Sequence, residues 1–81
     1  MINVKKSQVF IELDIANWDN TEFGSTLYEM CETNKEYEND LVEVHQVVFL
    51  GKRKSQDHYL IILNITQDIN NLGKPVENLY R

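Results

Sequence analysis

The sequence predicts an α+β domain of β-α-β-β order with a short C-terminal helix or wrap: one helix packed on a small three-stranded, mainly antiparallel sheet. Three observations carry that expectation. Residues 8–16 alternate apolar and polar groups, residues 21–37 repeat apolar groups at the spacing of a helix, and two further apolar runs flank a short polar loop. At 81 residues the chain reads as a single domain, 1–81.

In the first run Val9, Ile11, Leu13 and Ile15 point one way while Gln8, Phe10, Glu12, Asp14 and Ala16 point the other, as in a half-buried strand. Asn17-Trp18-Asp19-Asn20 then supplies turn and cap chemistry, because an Asp19 or Asn20 side-chain oxygen can accept an otherwise unbonded amide of a first helical turn. Phe23, Leu27, Met30, Cys31, Asn34 and Tyr37 follow on one face of a helix predicted over 20–38, which Asn39-Asp40 ends. Gly24 costs that helix about 1 kcal/mol relative to alanine.

Residues 41–50 and 58–66 read as two strands of an antiparallel hairpin around a basic loop, 51–56, that carries Lys52, Arg53 and Lys54. With Val48 set opposite Tyr59, the face under the helix holds Val42, Val44, Gln46, Val48, Leu50, Tyr59, Ile61, Leu63 and Ile65. The other face is mixed: Leu41, Glu43, His45, Val47, Phe49, His58, Leu60, Ile62, Asn64 and Thr66. Leu72, Val76, Leu79 and Tyr80 in the tail, with Pro75 suited to a first turn, predict a short helix or wrap over 68–81. That tail or another chain covers the mixed face, since a large apolar patch rarely stays bare. The first strand can join the second in parallel or the third antiparallel, and the latter is preferred.

Charge is the most informative property. Thirteen acids against eight bases give −5, and the imbalance is local: eight acids and only Lys35 fall between Asp19 and Glu43, a net of −7, while the remaining residues carry +2. Such a block repels nucleic acid and anionic lipid and attracts basic protein surfaces. At 100° per residue Glu22, Glu29, Glu32 and Glu36 fall in an arc of about 80° opposite Phe23 and Leu27. Glu38 and Asp40 extend this stripe. Like charges at Glu32 and Glu36, near the negative end of the helix dipole, cost local stability, which fits a surface kept for a cationic partner.

Other chemistry is sparse. Cys31, the single cysteine, permits no internal disulfide or multi-cysteine zinc site and sits on the apolar helix face. Glu12 and Asp14 form a carboxylate pair on one strand face, and His45 and His58 are placed too far apart to share a metal. No phosphate-binding loop, dinucleotide fingerprint, nucleophile elbow or HExxH occurs. No 18-residue apolar run or signal-like start is present, so the cytoplasm is the expected compartment.

The expectation is a small acidic, non-catalytic inhibitor or interaction protein without cofactor or metal, of the nucleic-acid-mimic type found among anti-restriction, anti-CRISPR and nuclease-immunity proteins. Its partner surface comprises Glu22, Glu29, Glu32, Glu36, Glu38 and Asp40, with Tyr28 and Tyr37 as aromatic anchors. The partner is a basic protein surface, one that itself binds nucleic acid, rather than nucleic acid or membrane. The alternative is a homodimeric structural or accessory subunit associating through the mixed sheet face. A third class is a small hydrolase or nucleotide-binding enzyme using Glu12, Asp14 and a histidine.

Overall fold

The computed structural model describes residues 3–16 and 20–76, except for the side chains of Asn20, Thr21 and Glu22. The order is β1 (Val4–Ala16), α1 (Asn20–Thr33), β2 (Leu41–Arg53) and β3 (Gln56–Asp68). The strands form one antiparallel sheet in the order β1-β3-β2, so the first strand joins the third. The most continuously apolar strand thereby takes the centre, where Ile61 and Leu63 are fully buried at 0% exposure.

The helix lies on the face that holds Tyr59, Ile61 and Leu63. Phe23 of α1 packs on Tyr59 at 4.8 Å between ring centroids with the rings tilted by 44°, and Phe49 of β2 flanks the same ring at 5.5 Å. Fourteen helical residues span about 21 Å, whereas thirteen-residue strands run about 44 Å. One helix therefore covers only about half the length of one face. The opposite face, with Phe10, Glu12, Asp14, His58, Leu60 and Ile62, carries no helix among the described residues; Phe10 and Glu12 are exposed there, Leu60 and Ile62 half-buried and His58 buried.

Two irregularities in β2 change the expected faces. The register to β3 slips between Val44 and Gln46 and again between Phe49 and Gly51, leaving His45 and Leu50 as extra residues. After the first slip Val47 pairs with Ile61 and Phe49 with Tyr59, so both join the helix side, while Gln46 and Val48 turn to the open face. The expected assignment of these four residues is thus reversed, because one inserted residue flips every later side chain. The hairpin is also tighter than the six-residue loop expected. Both strands run on to a two-residue turn at Lys54-Ser55, with φ of 52° and 67°, the left-handed pair of a type I′ turn.

The helix stops at Thr33 and does not reach residue 38. Asn34 folds its side-chain amide back to the Met30 carbonyl at 2.7 Å. The amides of Glu36 and Tyr37, which a continuing helix would send to the carbonyls four residues earlier, donate instead to Asp40 Oδ2, both at 2.9 Å. One carboxylate thus converts the expected last turn into a closed loop.

The tail docks against that loop. Glu38 and Asn39 donate to the carbonyls of Lys74 and Leu72, Val76 donates to Glu36, and Tyr37 bridges Pro75. The described part of the tail is therefore the irregular wrap, and its backbone bonds go to this loop rather than over the open face. Gly73 makes the approach feasible: its φ is 76°, and a Cβ there would run into the Glu38 side chain. Residues 77–81, including Leu79 and Tyr80, lie outside the described residues, as do Asp19 and the Asn20 side chain, the two expected caps.

Candidate functional site

The acidic segment is divided by the fold. On α1, Glu29 and Glu32 are exposed beside Tyr28, which is 68% exposed, and the three line a shallow hollow of about 330 Å³ with Thr33. Glu32 also reaches Lys35 at 3.5 Å, one turn on. Glu36 and Glu38 are exposed but lie in the loop after the helix, so they do not continue a helical stripe. Glu22 belongs to α1, with its side chain outside the description.

Besides Glu32, three of the expected contact residues are engaged internally: Asp40, Tyr37 and Glu36, whose Oε2 accepts from the Gln67 side-chain amide at 3.5 Å. Asp40 is only 4% exposed and holds the Glu36 and Tyr37 amides together with the Gln67 side-chain amide, at 3.2 Å. It is a loop-closing residue, and its carboxylate cannot meet a partner. Burial pushes its pKa up, but hydrogen bonds from Tyr37, Gln67 and Glu36 outweigh that and hold it below the ordinary value. Its second oxygen, Oδ1, is buried with no partner among the described residues. Tyr37 is half-buried, its backbone paired with Pro75.

A second constellation forms on the open sheet face. The β1–β3 register sets Asp14 opposite His58 and Glu12 opposite Leu60. His58 Nδ1 lies 2.5 Å from Asp14 Oδ1, and its Nε2 lies 3.5 Å from Glu12. Arg53 reaches across β3 to donate to Asp14 Oδ2 at 2.8 Å. The Arg53 guanidinium first, and His58 second, hold the Asp14 carboxyl below its ordinary range, and Asp14 in turn raises Arg53. The imidazole is thus spanned by two carboxylates, one of them anchored by an arginine.

Sequence reasoning grouped Glu12 and Asp14 with an unspecified histidine and read Arg53 as part of a loop tip; the β1–β3 register selects His58, and the extension of β2 to Arg53 brings in the arginine. His45 sits in the first β2 irregularity, exposed and apart from His58. Cys31 is half-buried, and burial, then the Glu32 charge, raise its thiol pKa. Among the described residues no group of three or more metal-binding side chains assembles, and no helix is long and apolar enough to cross a membrane. No family model, curated protein or solved structure matches the chain.

Proposed function

We propose that this protein is a small cytoplasmic, non-catalytic interaction module that docks on a basic protein surface, one that itself binds nucleic acid, in the manner of a nucleic-acid mimic. The observation that supports this reading is Tyr28, 68% exposed beside Glu29 and Glu32 at a shallow hollow that all three line. Exposed tyrosines are frequent anchors of protein interfaces, and flanking carboxylates stand in for phosphates and speed encounter with a cationic partner. Glu36 and Glu38 extend the negative surface into the following loop.

The test is affinity capture from the native host with the unmodified protein and with a Glu29→Lys/Glu32→Lys variant. A basic partner that is retained at low salt, released at about 0.5 M, where the screening length is only a few ångströms, and displaced by duplex DNA supports the reading. Retention of the same partner by the charge-reversed variant refutes it.

A second reading, self-association, is favoured by the open sheet face, where Phe10 is 60% and Leu41 53% exposed. Sedimentation separates the two: a strict monomer counts against self-association and leaves the acidic-surface reading intact.

A further inference from the structure

We infer that the outer edge of β1 is a self-complementary pairing surface that takes a second copy of this chain, antiparallel and centred on Phe10, to build one continuous six-stranded sheet. The inference does not rest on the acidic-surface reading. It gives self-association an edge geometry distinct from packing through the mixed face.

The free backbone groups of β1 follow from one hydrogen bond. Ile69 donates to the Asn3 carbonyl at 2.9 Å, in the same register that sets Val4 opposite Asp68. In an antiparallel ladder the bonded and non-bonded pairs alternate. The odd-numbered residues of β1 are therefore the ones bonded to β3, and the even-numbered ones, from Val4 to Ala16, aim both N–H and C=O away from the sheet. Among the described residues nothing pairs with them, since β1 is an edge of the sheet.

The two edges are guarded differently. β2 is interrupted at His45 and Leu50, which is how edge strands are commonly blunted. β1 runs through thirteen uninterrupted pairs with β3 and contains no proline, so it offers a long regular template.

Its residue order is complementary to itself. When a second β1 runs antiparallel with Phe10 opposite Phe10, the full strands overlap and the outward backbone groups meet in phase. Lys6 then faces Asp14 of the second copy, Gln8 faces Glu12, and Val9 faces Ile11, with no like charges opposed. The next allowed registers, a step to either side, set Phe10 against Gln8 or Glu12 and shorten the ladder. The same patch meeting itself across a two-fold axis is what a closed dimer requires.

The test combines sedimentation with site-directed cross-linking of the full chain. The unmodified protein is expected to sediment at twice its 9.6 kDa. In a Cys31→Ser background, Phe10→Cys is expected to oxidise to a covalent dimer, because residues paired at the two-fold lie about 5.5 Å apart at Cα, within disulfide range. Lys6→Cys, about 27 Å from its counterpart, is expected not to. Gln8→Lys places opposite charges twice per dimer and is expected to tighten it roughly two- to thirty-fold, while Gln8→Glu loosens it by a similar factor. A 9.6 kDa species at about 0.1 mM chain, which means association weaker than ~5 kcal/mol, overturns the inference. A dimer that cross-links no better through Phe10→Cys than through Lys6→Cys overturns it too, by placing the contact on another surface. Neither failure touches Glu29 and Glu32 on α1.

Discussion

Asp40 offers the sharpest check on the physical reasoning, because one buried carboxylate terminates the helix, closes the loop and meets β3. Replacing it with alanine removes three hydrogen bonds to a charged acceptor, from Glu36, Tyr37 and Gln67. At about 1.5 kcal/mol each the loss is 4–5 kcal/mol, and release of a buried carboxylate whose Oδ1 has no partner among the described residues returns about 2. A net destabilisation of about 2–3 kcal/mol lowers the midpoint of thermal unfolding by roughly 10–20 °C in a domain of this size. Asp40→Asn keeps the shape and one acceptor oxygen but no charge, and is expected to cost about 1 kcal/mol at neutral pH.

The two variants also separate by pH. The folded pKa of Asp40 lies below the ordinary value of 3.8, so its contribution is complete above that value and is lost as pH falls through the folded one. Calorimetry from about pH 7 down to about pH 2.5 should show the gap between the unmodified protein and Asp40→Asn closing only below about pH 4. A gap that stays constant over that range, or an Asp40→Asn variant more stable than its parent at neutral pH, refutes the argument. The unpaired oxygen would then outweigh the bonded one.

Further outcomes follow from the same structure. Ile61→Ala empties part of a small core and is expected to cost about 2–5 kcal/mol, read by urea unfolding with an unchanged m-value. Lys54→Asn with Ser55→Gly suits the two left-handed residues of the hairpin turn and is expected to raise stability by about 1–2 kcal/mol, seen as a higher unfolding midpoint. Arg53→Ala removes the main influence on Asp14, so the carboxyl titration followed by NMR should move up toward 3.8 while the fold is retained.

The sequence patterns that proved reliable were those in which burial dictated periodicity. Alternation along Val9, Ile11, Leu13 and Ile15 located β1, and the apolar helix face located α1. Where the structure departs from expectation, the deciding interaction is one that periodicity does not encode. Asn34 and Tyr37 keep helical spacing, yet Asp40 takes the amides that would extend the helix. Val47-Val48-Phe49-Leu50 is apolar at every position, so alternation has no phase there and cannot reveal that one residue is inserted at His45. Lys54-Ser55 carries neither asparagine nor glycine, which hid a tight turn inside a basic run. The cluster of Asp14, Arg53 and His58 was legible only in part. The preferred strand order and the grouping of Glu12, Asp14 and a histidine were in the sequence, but the β1–β3 register that selects His58 was not, and Arg53 was assigned to a loop because the tight turn was hidden.

The same division sharpens the functional reading. Charge counted along the chain overstates the field that the acidic segment offers, because Asp40 faces inward and Glu32 has Lys35 at 3.5 Å. Among the described side chains, the acidic groups exposed on the helix are Glu29 and Glu32, beside Tyr28. Tyr28 and Tyr37, equivalent as expected anchors, are thereby separated: one stands free on α1 and the other belongs to the loop that pairs with Pro75. If a basic partner docks on this surface, Tyr28→Ala should weaken capture at least tenfold and leave unfolding unchanged, since hot-spot aromatics typically contribute 2 kcal/mol or more. Tyr37→Ala should do the reverse, lowering stability through the 36–40 loop while capture by the folded fraction persists. Equal loss of binding in both variants would place the contact across the loop and tail instead, and would move the proposed footprint off the helix.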